Sequence, residues 1–265
     1  MQKFTNIMTA AIDFVLPKRC PPCGAILQGQ GDFCATCWQQ LSFLGPPWCS
    51  SCALPMPAGS TDDIQCAICI GTPPRHDGIR AVTAYDDVSR QIVLKLKHGG
   101  KIGLAALIAS HMSRHLPVAE GVILIAPVPL HWTRLWSRGY NQSALIAQAL
   151  VRQASLKEGS FRYVPDLLIR KVRTPLLRGM SGKQRRKTVG KVFTLNPKRK
   201  NQIKGARIIL IDDVLTSGAT SDACIAQLKR GGVGWIQLFC WARVLRGEAA
   251  ENNSYGLDGY LLDSY

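Results

Sequence analysis

Arg207–Gly231 reads RIILIDDVLTSGATSDACIAQLKRG, and the fold of the chain turns on it. Ile208, Ile209, Leu210 and Ile211 form the continuous apolar run expected of a parallel strand buried on both faces. A polar loop from Asp212 to Thr220 follows. Beyond it, Ala223, Cys224, Ala226 and Leu228 approximate one face of a helix starting near Ser221. Strand, tight loop and helix in that order predict an open α/β sheet, with the loop where such sheets bind ligands.

The loop has the chemistry of a phosphate cradle. Thr216, Ser217 and Thr220 supply hydroxyls, Gly218 admits close backbone approach, and the helix start aims N–H groups and a positive dipole end at the same point. Asp212 and Asp213 would repel that phosphate. They suit ribose hydroxyls, or a Mg²⁺ held by ribose and pyrophosphate. A strand-to-helix turn needs only one capping residue and no acids in front of it. A Walker A loop is excluded because no Gly-Lys-Ser/Thr follows. At these residues D-D-V-L-T-S-G-A-T resembles the phosphoribosyl pyrophosphate (PRPP) motif of type I phosphoribosyltransferases. That resemblance implies that the paired acids hold the ribose and that Thr216, Ser217, Gly218, Ala219 and Thr220 hold the 5′-phosphate.

Ten cysteines are present, and eight of them fall as Cys20/Cys23, Cys34/Cys37, Cys49/Cys52 and Cys66/Cys69. Four C-x-x-C pairs at turns such as C-P-P-C-G read as tetrahedral thiolate sites for structural Zn²⁺, one or two in number, with no ligand position left for a catalytic water. Sequential pairing and an interleaved cross-brace both satisfy the spacing. Cys224 and Cys240 read as small core residues.

The 265 residues carry 46% apolar side chains, enough for a real core, and a formal charge of +16. From Leu167 to Ile211 there are no acids and 14 Lys or Arg, which points to a polyanionic partner or to a solvated basic face. Met1–Leu16 has an amphipathic helical stripe without signal-peptide features, and no apolar run spans a bilayer, so a soluble, cytoplasmic protein is expected. Composition shifts divide the chain into an amphipathic helix (1–19), a double zinc ribbon (20–72), an α/β domain (75–247) and a tail (248–265).

Within the α/β part, strands are expected at Ile79–Tyr85, Val122–Val128 and Gly234–Val244, and helices at Val88–Lys97 and Gly103–Leu116. The corner Lys95, Lys97, His98, Gly99, Gly100, Lys101 suits a loop over an anion, or a helix C-cap with helpful cations. Ala126–Gln142, APVPLHWTRLWSRGYNQ, reads as strand, anion-friendly loop with Arg134 and Arg138, then helix. Trp132 and Trp136 are expected to pack on the core, the alternative being a stacking platform for bases. Leu168–Phe193 reads as a strand followed by a mobile basic loop that includes Lys183, Arg185 and Arg186.

P-V-P-L-H-x-x-R-L-x-x-R-G-Y-N-Q is similar to a signature of the ComF/GntX family, and the likeness extends over nearly the whole chain, cysteine block included. It implies a type I phosphoribosyltransferase-like parallel sheet flanked by helices and preceded by a small Cys-rich zinc-ribbon module. It further implies pyrophosphate binding by Arg134 and Arg138, a loop at Lys183, Arg185 and Arg186 that closes over PRPP, and a link to competence and the use of external DNA. Two functions follow as expectations. One is a phosphoribosyltransferase using PRPP and Mg²⁺. The other is a non-catalytic protein that binds single-stranded DNA on the same scaffold, with proteins of the DNA-uptake machinery as partners.

Overall fold

The computed structural model describes residues 17–27, 31–118, 121–154, 160–171 and 192–245. The amphipathic stripe before Pro17, the tail after Leu245, and Lys183, Arg185 and Arg186 lie outside them.

Two short helices, α1 (Ala35–Gln40) and α2 (Ala67–Gly71), belong to the Cys-rich module. The sheet domain then runs β1 (Ile79–Ala84), α3 (Asp87–Lys97), α4 (Leu104–Met112), β2 (Val122–Pro127), α5 (Trp132–Arg138), α6 (Gln142–Ala154), β3 (Ser160–Tyr163), β4 (Leu168–Arg170), β5 (Phe193–Leu195), α7 (Lys200–Ile203), β6 (Arg207–Leu215), α8 (Ala219–Arg230) and β7 (Trp235–Arg243). Five strands form one parallel sheet in the order β1-β7-β6-β2-β3, and β4 pairs antiparallel with β5 as a separate ribbon. The architecture is the helix-flanked parallel sheet behind a Cys-rich module that the sequence implied.

Alternation along β6 builds a core on each face of the sheet. Ile208 and Leu210 join a cluster with Cys224, Leu228, Ile236 and Cys240, while Ile209 and Ile211 join Ile92, Leu96, Ile108, Ile146 and Trp241 on the other side. Cys224 and Cys240 are fully buried, as expected of core residues.

Several elements differ from their sequence reading. β6 continues through Leu215, because Asp212 stays in register with Cys240 and Val214 with Ala242 of β7, so the two acids stand on the strand rather than in the loop. Gly218, at φ 76°, leads directly into α8, which begins at Ala219, two residues ahead of Ser221. A helix, α5, occupies the stretch read as an anion loop. It buries none of its residues, so Trp132 and Trp136 do not pack on the core.

The Cys-rich module is seated on the sheet. Leu44 N–H donates to Val82 O at 2.9 Å, Ala84 N–H to Ser42 O at 2.8 Å and Ile79 N–H to Ser51 O at 2.8 Å, which covers the outer edge of β1. Its Phe33, Cys37 and Leu41 enter the same cluster as Ile92, Ile108 and Trp241, and Leu44 and Ala53 enter the cluster on the opposite face.

Candidate functional site

A cleft opens at the carboxyl ends of β6 and β2, lined by Val128–Leu130, Asn141–Ser143 and the whole Asp212–Ser221 stretch. Thr216, Ser217, Gly218, Ala219 and Thr220 therefore come together as one turn, facing the first N–H groups of a helix 12 residues long. Gly218 is required by its left-handed φ of 76°. Ser221 Oγ donates to Gly218 O at 3.0 Å and fixes the turn's exit.

Successive strand residues point to opposite faces, so Asp212 and Asp213 part company. Asp213 is 4% exposed and sits among partners: Lys97 Nζ at 3.1 Å, Gln142 Nε2 donating at 3.1 Å, and Val214 N–H donating to its other oxygen at 2.7 Å. Asp212 is half-buried toward the cleft. Its Oδ1 accepts from Asp213 N–H at 2.9 Å and from Ser143 Oγ at 3.5 Å. Burial, with the Asp213 carboxylate adding to it against the pull of Lys97, pushes Asp212 up to about 7. The cleft thus holds one carboxyl that burial makes easier to protonate beside another that Lys97 and Gln142 grip directly.

Arg134 and Arg170 stand in the same cleft. Arg170, on β4, is 8% exposed with its guanidinium over the Phe193 ring at 5.5 Å, and burial together with repulsion from Arg134 lowers it to about 10. Two cations that raise each other's energy in a shared hollow make a site for an anion. Arg138 lines an adjoining hollow with His98, Ser137 and Tyr140, to which Lys97 and Arg134 also contribute.

Gln142, Ser143 and Arg170 line the cleft without being marked by the sequence as site residues, and Lys97 reads there only as one member of the basic corner suited to an anion. Two of them carried a readable signal. Lys97 follows Val93 by four and so continues the buried face of α3, and Arg170 follows the buried Leu168 by two on the same face of β4.

Around the cysteines the pairing is sequential. Cys20, Cys23, Cys34 and Cys37 form one group and Cys49, Cys52, Cys66 and Cys69 another, with all four sulfurs of each within 4.8 Å of one another. Sulfurs bound tetrahedrally to one Zn²⁺ lie about 3.8 Å apart, given Zn–S bonds of about 2.3 Å. Cys23 Sγ and Cys34 Sγ are 3.6 Å apart, and Cys52 Sγ and Cys66 Sγ 3.7 Å. Backbone N–H groups support the thiolates: Cys34 N–H points at Cys20 Sγ at 3.4 Å, and Cys66 N–H at Cys49 Sγ at 3.3 Å. Burial acts against ionisation of Cys49, but the N–H groups of Cys52, Cys66 and Ser51 outweigh it and bring the thiol down to about 6. Burial raises the thiols of Cys20, Cys37, Cys52 and Cys69, so each group becomes fully ionised only with a cation among its four sulfurs, and both groups fit Zn²⁺ as the resident of a structural site. The first group is tied to the sheet domain by Lys95, whose Nζ donates to Pro21 O at 2.8 Å and also to Pro22 O.

No described helix is long and apolar enough to cross a membrane. Residues 11–72 match the double zinc ribbon domain family. Competence protein F of Haemophilus influenzae is 27% identical over 238 residues, 85% of this chain and 96% of that protein. DNA utilization protein YhgH of Escherichia coli K12 is 27% identical over 74% of this chain and 84% of its own length. Among solved structures, a hypoxanthine phosphoribosyltransferase from Staphylococcus aureus overlaps 54% of this chain and 62% of its own, at 11% identity and a TM-score of 0.31.

Proposed function

For this chain, a ComF-family protein, we propose that the cleft at the end of β6 binds PRPP or a closely related phosphoribosyl ligand, in a protein that works in the uptake or utilisation of external DNA. The observation that carries the reading is the convergence, at one helix start, of the Thr216–Thr220 hydroxyl turn with a half-buried carboxyl and two guanidiniums. The 5′-phosphate sits on Thr216, Ser217, Gly218, Ala219 and Thr220, and the ribose hydroxyls donate to Asp212. Asp213 acts from behind, holding Lys97 and Gln142 in place. Arg134 and Arg170 neutralise the pyrophosphate, with Arg138 one turn further out. Carboxylate, hydroxyl and phosphate oxygens are the hard ligands that Mg²⁺ takes, so the site fits a Mg²⁺ carried in with the pyrophosphate, where it would spread the charge of the leaving group. Lys183, Arg185 and Arg186 are proposed to close over the ligand.

Calorimetric titration of zinc-loaded protein with PRPP and Mg²⁺ tests this. Binding in the micromolar range that Asp212→Asn loses is the expected result. No heat with either protein would leave the cleft without a phosphoribosyl role and would turn the search to nucleotides and protein partners.

A second reading has its own support. The basic run reaches Lys198, Lys200 and Lys204, all on the surface, and the names of the relatives speak of competence and DNA utilization. Single-stranded DNA is therefore a proposed partner, alongside proteins of the uptake machinery. Its affinity should fall steeply with salt, and neutralising Lys198, Arg199 and Lys200 should flatten that slope.

A further inference from the structure

The last turn of α3 makes three ties from three successive residues. Lys95 Nζ donates to Pro21 O at 2.8 Å and to Pro22 O, the two carbonyls enclosed between Cys20 and Cys23. Leu96 O accepts from Tyr140 Oη, two residues beyond Arg138. Lys97 Nζ meets Asp213 Oδ2 at 3.1 Å. The first cysteine group, the arginine-bearing segment and an acid of β6 are therefore joined at one turn of helix.

Lys95 also carries the corner that follows. Its carbonyl accepts from Gly99 N–H at 3.0 Å and from Lys101 N–H at 3.3 Å, and His98 and Gly100 of that corner line the hollow beside Arg134 and Arg138. The side chains of Lys95 and Lys97 leave the helix about 200° apart. One faces the cysteine module and the other the cleft, so the two are coupled by movement of the turn as a unit and not by contact. Ile92, Val93 and Leu96, all buried, limit that movement to a small one at the helix end.

Whether Lys95 has its anchor depends on the cysteine knuckle. The knuckle's own backbone bonds, Cys20 N–H to Ala25 O at 2.7 Å and Gly24 N–H to Cys20 O at 2.8 Å, close a single turn, and a ribbon of this kind takes its folding energy from metal. Four thiolates around one Zn²⁺ leave a net charge of about −2, which favours an ammonium at the knuckle. In the metal-free knuckle Pro21 O and Pro22 O are no longer held opposite Lys95.

We propose that Lys95 is a positioning residue of the phosphoribosyl site, and that through it the first cysteine group, once loaded with Zn²⁺, sets the placement of Lys97, Asp213 and Tyr140. The assignment rests on the phosphoribosyl reading above and adds a control on it. Linkage makes the effect mutual: ligand in the cleft tightens zinc at the first group by the same factor by which zinc tightens the ligand.

The test is made on the full chain loaded with zinc. Calorimetric titration with PRPP and Mg²⁺ should show Lys95→Met binding about fivefold more weakly than wild type, and Lys95→Arg, which still reaches both carbonyls, within about twofold of it. Equilibrium competition with a zinc chelator, with and without saturating PRPP, reads the reverse direction. PRPP should raise the affinity for one of the two zinc ions by about fivefold in wild type, and should not in Lys95→Met or in the non-binding Asp212→Asn. A ligand that merely stabilises the whole fold would protect zinc in Lys95→Met as well, and that result overturns the proposal. Equal PRPP affinities for wild type and Lys95→Met overturn it too, while the phosphoribosyl reading stands. If wild type binds no PRPP, both fall. Should Lys95→Met hold fewer than two zinc ions, Tyr140→Phe decides instead, since it leaves the cysteine module untouched. Weaker PRPP binding with loss of the zinc response then supports the junction, and wild-type behaviour in both overturns it.

Discussion

Adjacent carboxylates repel, and although Asp212 and Asp213 leave β6 in opposite directions the repulsion persists, since Asp213 adds to the burial that raises Asp212. Asp213 is stabilised by Lys97, so its partner's removal should be severe. Lys97→Met is expected to cost about 3–5 kcal/mol by leaving a buried charge uncompensated, and adding Asp213→Asn should recover much of that loss. Denaturant midpoints of the two variants will show it. Asp212 works with the opposite sign. Its folded value of about 7 lies above the ordinary carboxylate value of about 3.9, so the folded state holds the proton more tightly than the unfolded one. That contribution is complete below about pH 4 and is lost as pH rises through about 7. The groups that act on Asp212 include Asp213, Lys97 and Ser143, and Arg170, Cys224 and Cys240 from the elements packed beside it. Asp212→Asn should therefore stabilise the protein at pH 8 by about 1–2 kcal/mol, with little effect at pH 4, while abolishing PRPP binding. Melting curves at the two pH values check the sign.

At the level of the element, the end of α3 carries more than its length suggests. Lys95 reaches the first cysteine knuckle through Pro21 and Pro22, and Lys97, on the other side of the same turn, reaches Asp213. Gly99 follows, where an added Cβ would lie 2.8 Å from Lys95 O and 3.1 Å from Lys95 Cα. Gly99→Ala must move that backbone, and should destabilise by about 1–3 kcal/mol and weaken ligand binding at a cleft it does not touch. β6, β7, β1 and the cysteine pairs were legible because each carries a dense local pattern, apolar runs in the strands and fixed spacing in the knuckles. α5 was not legible, since a helix with no buried face has no periodicity to read. Nor was β3, whose Ser-Phe-Arg-Tyr is an edge strand completed by pairing with β2. The sequence places the acids in a loop because strand propensity ends at Ile211, whereas pairing with β7 carries the strand on to Leu215. Lys97 reads from sequence only as part of a basic corner, because its partner Asp213 lies more than a hundred residues away.

Across the whole molecule the two zinc groups act as folding energy for the module that caps the sheet. Purified protein should hold two zinc ions per chain. A strong chelator that removes them should uncover the outer edge of β1 and send the protein into aggregates, which sedimentation and metal analysis will follow together. Deleting residues 1–72 should likewise yield insoluble chains, because Phe33, Cys37 and Leu41 complete one core cluster and Leu44 and Ala53 the other.

The pairing of β1 with β7 joins the first of the sheet's described strands to the last in chain order, Ile79 lying opposite Leu238. On a ribosome the inner edge of β1 therefore waits until β7 has emerged, since no other described strand pairs with it there. Its outer edge need not wait. Ser42–Leu44 and the cysteines around them are made earlier, and a ribbon clipped by metal at that stage shields half of an apolar strand throughout translation. Zinc loaded at that stage would guard a nascent strand before the sheet exists.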